Sequence, residues 1–247
     1  MTALLQAELI KLRTTRTFLA LAGVAVGMSL LLVILVSLLA EPTADTVLGD
    51  VFTFDTTGLF ILILAVVGIS GEWRHRTITS SLLAAPDRLR FLAAKTVAFA
   101  VAGLALSLAI SLAVSIAGYA ILTARDLPKP ELGELAAQIG RNGIVAMLLG
   151  ALGVGLGALV RNQVVAIVGV LVIVLVVEPT VLALRPDVGR WGPFTLPNAV
   201  AGIPEEDSGV GDGVDLPSPG LAAVAMLAWI GGFYAAGATL LRRRDLD

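Results

Sequence analysis

Residues 17–40 read TFLALAGVAVGMSLLLVILVSLLA, a run of 24 residues without a charged side chain. A helix of about 20 apolar residues, rising 1.5 Å per residue, crosses the roughly 30 Å of hydrocarbon in a bilayer. The run is also longer than the apolar core of a signal peptide, which has about 7 to 15 residues. It therefore predicts a membrane span that stays in the protein.

The composition of the whole chain agrees with a membrane protein. Of its 247 residues 57% are hydrophobic and 15% are charged, with a mean hydropathy of +0.94, whereas soluble domains have about 25% charged residues. An apolar content this high also excludes a disordered chain. The sequence has no Cys and one His, which excludes disulfides, thiolate metal sites and a cysteine nucleophile.

Further charge-free runs predict an all-α membrane protein with six transmembrane helices in a single domain, residues 1–247. The predicted spans cover about 17–40, 51–71, 96–123, 141–160, 163–184 and 219–241. The second span contains Asp55 and the fifth contains Glu178, and each acid is expected near an end of its helix. No stretch between the spans is long enough for a soluble domain.

The charges divide unequally between the two sides of this arrangement. Because six is an even number, both termini lie on one side, and Lys and Arg in short loops mark the cytosolic side. With the termini inside, 12 of the 17 basic residues are cytosolic and 14 of the 19 acidic residues are outside, which gives net charges of +7 and −9. The sequence therefore predicts cytosolic termini. Before the first span, Leu5, Leu9 and Leu12 form a partial stripe that predicts an N-terminal interfacial helix.

Motifs for nucleotide or metal binding do not hold. Residues 153–158, GVGLGA, match the loose dinucleotide pattern but lie in an apolar span, so we interpret Gly153 and Gly157, like Gly23 and Gly27, as sites of close helix packing. None of the three lysines follows a glycine, so a G-K-[ST] phosphate loop is absent. We expect no catalytic residue, cofactor, metal or nucleic acid on this chain.

Residues 71–95 read GEWRHRTITSSLLAAPDRLRFLAAK and connect the second and third spans. They predict a short amphipathic helix that ends at Pro86 and a second helix that leads into the third span. Ile78, Leu82 and Ala85 share one face of the first helix. That face either lies on the bilayer while the arginines anchor the helix ends, or docks in a groove of another protein.

This stretch resembles the cytosolic loop between the second and third spans of ABC-2 type transporter permeases, the membrane subunits of ATP-binding-cassette exporters. The segments AELIKLRTTR before the first span and LRRRD near the C-terminus are similar to the ends of the same family. The resemblance implies a permease that pairs with a second permease copy, in a homo- or heterodimer, and with two ABC ATPase subunits that bind ATP and Mg²⁺. Such a permease exports a hydrophobic or amphipathic drug, lipid or peptide by alternating access. A bias toward Ala, Val and Gly indicates a bacterial source, and hence a bacterial plasma membrane.

The resemblance also implies roles for individual residues. The ATPase-contacting residues that it implies are Glu72, Arg74, Arg76, Ile78, Leu82 and Leu83. The three apolar residues would form a cytosolic coupling helix in a cleft of the ATPase, and the three charged residues would connect that contact to the second span. Residues 191–203 would form short helices at the outer surface before the last span.

Polar residues inside the spans are candidates for a substrate path. These candidates are Ser107, Ser111, Ser115 and Glu178. The serines continue a stripe of small residues from Gly103 along the third span, which fits either helix packing or a polar lining. An acid that faces lipid costs up to about 3 kcal/mol, so we expect Glu178 to face protein or water, with Arg141 as a candidate partner, or to snorkel to the outer interface.

Two other functions fit the same six spans. The chain is alternatively a self-sufficient channel or secondary carrier, or a membrane assembly factor without a transport path. Only the exporter requires ATP hydrolysis by a bound partner, so the presence of an ATPase discriminates among the three.

Overall fold

The computed structural model describes residues 2–75, 77, 87–203 and 214–243. Within this part of the chain the protein is 82% helical and contains no strand. Six helices are long and apolar enough to cross a membrane. The predicted all-α class is therefore confirmed, and the chain is a multi-pass membrane protein.

The helices follow one another along the chain with short connections. Helices α1 to α6 cover Thr2–Thr14, Arg16–Leu39, Val47–Phe52, Thr57–Arg74, Arg88–Ala124 and Leu132–Leu159. The fifth span is continuous and consists of α7, a π-helical turn and α8, at Gln163–Val172, Ile173–Val177 and Glu178–Leu184. The remaining helices α9, α10 and α11 cover Pro186–Gly189, Leu196–Ala201 and Pro219–Arg243. The π-helical turn precedes Pro179, which has no backbone N–H to donate to that turn.

Charged residues at the helix ends define two ends of the bundle. The basic end carries Arg16, Arg74, Arg88 and Arg161, and the acidic end carries Glu41, Asp126, Glu131 and Asp187. At the acidic end Arg125 Nη1 donates to the carbonyl oxygens of Ser37 and Ala40, at 2.8 and 2.9 Å. Because the last carbonyl groups of a helix carry partial negative charge, this cation stabilises the end of α2.

The third and fourth spans begin earlier than the sequence predicts. Helix α5 begins at Arg88, eight residues before the predicted start at 96, because Asp87 Oδ1 accepts the backbone N–H groups of Leu89 and Arg90 at 3.0 and 3.2 Å. Its 37 residues rise about 55 Å, more than the thickness of the hydrocarbon. Helix α6 begins at Leu132, nine residues before the predicted start at 141. Both helices therefore extend beyond the apolar runs that identified them.

The second span is interrupted, although the sequence predicts one helix over 51–71. Residues 53–56 separate α3 from α4. At this break the backbone N–H of Thr56 donates to Ser29 Oγ at 3.1 Å, and that of Thr57 donates to Asp55 Oδ1 at 2.8 Å. These side chains accept amide groups that a continuous helix would pair internally, and they stabilise the interruption.

Helix α6 lies at the centre of the bundle, where it packs against α4, α5 and α11. A Cβ at Gly150 would lie 2.6 Å from the Phe99 carbonyl oxygen, and one at Gly153 would lie 2.6 Å from the Leu62 carbonyl oxygen. The close packing expected around Gly153 is therefore present. By contrast, a Cβ at Gly23 or Gly27 of α2 would have no described atom within 4 Å.

Helix α2 and the α7–α8 helix expose most of their apolar surface. Leu31 of α2 is 63% exposed and Leu175 of the π-helical turn is 68% exposed. The residues of α2 that face the bundle are spaced by four, at Ala25, Ser29, Val33 and Ser37. Helices exposed in this way make contact with lipid or with another membrane protein.

Candidate functional site

Four charged side chains meet at the basic end, where α1, α4 and α5 come together. The Nζ of Lys95 lies 2.7 Å from Glu8 Oε2 and 2.8 Å from Glu72 Oε1. The Nζ of Lys11 lies 2.7 Å from Glu8 Oε1 and 3.7 Å from Glu72 Oε1. We call Glu8, Lys11, Glu72 and Lys95 the ion-pair cluster. Since Lys95 is 2% exposed, its charge depends on the two carboxylates for compensation.

Burial and charge act in opposite directions on the two members of the cluster that α1 contributes. Burial raises the pKa of Glu8, but the charges and hydrogen bonds of Lys95 and Lys11 outweigh burial and hold the pKa of the carboxyl below its ordinary value. Burial lowers the pKa of Lys11, but the hydrogen bond and charge of Glu8 outweigh it and raise the pKa of the ammonium above its ordinary value. Both groups are therefore charged at neutral pH, and α1 is held to the bundle by ionic contacts.

The residues that were expected to contact an ATPase lie around this cluster. Glu72 belongs to the cluster, and Arg74 is exposed, with its Nη1 3.4 Å from Gln163 Oε1. The remaining four expected residues, Arg76, Ile78, Leu82 and Leu83, lie outside the described residues. The contact between Glu72 and Lys95 joins the two helices on either side of the segment 76–86.

A cavity of about 720 Å³ opens beside the ion-pair cluster, among α1, α2, α4, α5 and the first residue of α7. Its apolar walls include Leu12, Phe18, Leu64, Val67 and Phe99. Its polar side is formed by the cluster together with Arg74, His75 and Gln163. We call this space the basic-end cavity. Its volume falls within the roughly 300 to 1,000 Å³ of small-molecule sites.

The serine stripe of α5 meets Asp55 at the break between α3 and α4. Ser111 Oγ donates to Asp55 Oδ2 at 2.7 Å, and Ser107 Oγ donates to the same oxygen. The Nδ2 of Asn142, in α6, donates to Ser111 Oγ at 3.1 Å. We call Asp55, Ser107, Ser111 and Asn142 the polar network. Ser115, the third expected serine, is buried on α5 one turn beyond Ser111.

The polar network lies about midway between the two ends of the bundle. Ser107 follows Lys95 by 12 residues, or about 18 Å of helix, and Ser111 precedes Arg125 by 14 residues, or about 21 Å. Asp55 therefore lies deeper than the helix end where the sequence placed it. The physical reason is the interruption of the span, which continues toward the acidic end as α3.

Glu178 accepts hydrogen bonds from the backbone of the segment between α9 and α10. Its Oε1 accepts the N–H of Phe194 at 2.8 Å and the N–H of Thr195 at 2.6 Å. The residue is 6% exposed. Arg141, its expected partner, lies instead beside Gly202. Glu178 thus connects the fifth span to the segment that leads into α10.

Several of these residues were not foreseen as contacts, although each carries a local signal. Glu8 and Lys11 are three residues apart on a helix, a spacing that brings opposite charges together. Lys95 is a lone cation among apolar residues, and such a cation needs a carboxylate partner when it is buried. Asp55 is followed by two threonines and a glycine, a composition typical of a helix start.

The sequence was also compared with known proteins. No protein-family model matches it, and no curated protein matches it either. The resemblance to ABC-2 type permeases therefore rests on residues 7–16, 71–95 and 241–245 and on the six spans.

Proposed function

We propose that the chain is the permease subunit of an ATP-binding-cassette exporter, which moves a hydrophobic or amphipathic drug, lipid or peptide by alternating access. Two ABC ATPase subunits carry ATP and Mg²⁺ and dock at the basic end, while this chain contributes no catalytic residue. The observation that carries the proposal is the ion pair between Glu72 and Lys95, at 2.8 Å. Because this pair joins the helices flanking residues 76–86, a force on a coupling helix there would act on α4 and α5 together, and through Glu8 on α1.

The exposed helices support pairing with a second permease copy. The α2 surface around Gly23 and Gly27 is free of described side chains, and small residues four apart allow two membrane helices to approach closely. The α7–α8 helix offers a second exposed apolar surface. A homodimer or heterodimer of permeases would cover part of both.

The unequal charge of the two ends supports an orientation with the basic end in the cytosol of a bacterial cell. In this orientation α1 is the interfacial helix, and its partly buried leucines lie on the same side as Glu8. Helices α9 and α10 then lie at the outer surface. Trp191 and Phe194 lie between these helices, and aromatic residues are frequent at that depth of a membrane.

Leu82→Asp should abolish co-purification of the ATPase and ATP-driven transport. A leucine enclosed in a protein groove contributes about 1.5 to 3 kcal/mol to binding, and a carboxylate in the same groove cannot be desolvated without a partner. The measurement is the ratio of ATPase to permease after purification, with transport assayed in vesicles. Leu82→Met, which keeps the apolar volume, is the matched control and should retain both activities.

Wild-type amounts of ATPase on the Leu82→Asp permease would contradict the docking of this segment. The second candidate function would then gain weight, since Asp55 in the middle of the membrane is a residue type that marks ion or proton paths in carriers. Transport by purified permease in liposomes, without any ATPase, would establish that second function.

Single cysteines should report the orientation, because the chain has no Cys of its own. Ser218→Cys, at the acidic end, should react with a membrane-impermeant maleimide in intact cells, and Thr2→Cys should react only after the membrane is opened. Both residues are exposed in the structure, so a lack of labelling reflects the membrane and not burial. Reaction of Thr2→Cys in intact cells would reverse the orientation.

A further inference from the structure

The basic-end cavity contains a buried acceptor that has no partner among the described residues. Glu72 is 8% exposed, and its Oε2 makes no hydrogen bond within the described part of the chain, whereas its Oε1 contacts Lys95 and Lys11. A carboxylate oxygen can only accept hydrogen bonds. Leaving such an atom unpaired in a buried place is costly, so the cavity favours an occupant that supplies a donor.

The charges around the cavity restrict the head group of such an occupant. The two acids and two lysines of the ion-pair cluster neutralise one another, and Arg74, at the rim, already contacts Gln163. An anionic group would meet the unpaired lone pairs of Glu72 without a proton to donate. A hydroxyl, amide or ammonium group carries the donor that Glu72 Oε2 lacks.

The walls of the cavity restrict the rest of the molecule. Beyond the cluster the lining becomes apolar, with Phe18 of α2, Val67 of α4 and Phe99 of α5. Pockets with apolar walls and a few polar groups at one end bind ligands whose own polarity is divided in the same way. The occupant is therefore amphipathic, with its head at the ion-pair cluster and its apolar part among the three helices.

We propose that the basic-end cavity binds an amphipathic molecule with a hydrogen-bond-donating, non-anionic head group, which it places against Glu72 Oε2. As a statement about the transported substrate class, this inference rests on the proposed exporter function. Binding to the cavity requires no ATPase and is measured separately.

The test uses the full-length protein in nanodiscs, with Gly71→Cys as the reporter. A Cβ at Gly71 would meet only Gln163 Oε1, at 3.9 Å, so the cysteine fits at the cavity wall. The probes are 1-dodecanol, dodecylamine and dodecanoate, which share one chain and differ in the head group. Dodecanol and dodecylamine should slow the reaction of this cysteine with N-ethylmaleimide about fivefold at about four times their dissociation constant, since only unoccupied protein reacts. Dodecanoate should not slow it.

Controls separate the cavity from general membrane effects. Ser218→Cys at the acidic end should react at the same rate with every probe, and Thr17→Cys, a second position at the cavity, should repeat the Gly71→Cys pattern. Val67→Phe should fill the cavity and remove the protection, whereas Leu59→Phe, on the exposed side of the same helix, should leave it unchanged.

Each outcome decides for or against the proposal. Protection by dodecanol or dodecylamine that Val67→Phe removes supports it. Equal or stronger protection by dodecanoate would show an anion site and overturn it, and equal rates at Gly71→Cys and Ser218→Cys would show that the cavity holds water only. Loss of probe binding with ATP-driven transport intact would refute this inference alone, whereas probe binding by a permease that never carries an ATPase would refute the proposed function alone.

Discussion

Lys95→Met should destabilise the protein by about 3 to 5 kcal/mol, because it removes the cation that compensates two buried carboxylates. Glu8 and Glu72 would then share Lys11, whose Nζ lies 3.7 Å from Glu72 Oε1. The loss should appear as a lower free energy of unfolding in mixed micelles of detergent and dodecyl sulfate. Helix α1 should also detach from the bundle, which limited proteolysis would detect as faster cleavage within residues 2–15.

Arg90→Met is the matched control on the same helix. Arg90 is exposed and pairs with Asp87 at 3.1 Å, and exposed pairs of this kind contribute about 0 to 1 kcal/mol. In the Lys95→Met background, Glu72→Gln should recover part of the stability by removing one uncompensated charge. Equal stability of the Lys95→Met and Arg90→Met proteins would show that the ion-pair cluster does not hold the three helices together.

Asp55→Val should cost about 3 to 5 kcal/mol, since the substitution leaves three donors without their acceptor in the middle of the membrane. These donors are the hydroxyls of Ser107 and Ser111 and the backbone N–H of Thr57. Asp55→Asn keeps one acceptor oxygen and should cost about 1 to 3 kcal/mol. Unfolding in mixed micelles measures both variants.

Ser115→Ala provides the control, because Ser115 is buried on the same helix but makes no printed contact with Asp55; it should cost less than Asp55→Asn. Transport distinguishes the functions as well. If the chain is an exporter, Asp55→Asn should retain the ATPase at the wild-type ratio, because residues 71–95 are unchanged. Stability of Asp55→Val within that of Ser115→Ala would show that the polar network does not maintain the break in the second span.

The basic-end cavity shows how the ends of the apolar runs acquire a possible role. Residues 71–75 terminate a span in the sequence, yet Gly71, Glu72 and His75 also line the cavity. Helix α1 lies outside the apolar runs, and Glu8 and Lys11 from it complete the polar side. A binding site formed in this way belongs to three helices that are distant in the chain, and no single motif announces it.

The sequence by itself determined the helical class, the six spans and the unequal charge of the two ends. These properties follow from the length and polarity of local runs such as 17–40, because a bilayer requires each spanning helix to be long, apolar and internally hydrogen-bonded. The tertiary structure alone decided the break at 53–56, the depth of Asp55 and the partners of Lys95. Those contacts join Asp55 to Ser107 across 52 residues and Lys95 to Glu8 across 87. Their formation depends on which helices become neighbours, and helix packing is set by surfaces such as Gly150 and Gly153 that contact other parts of the chain.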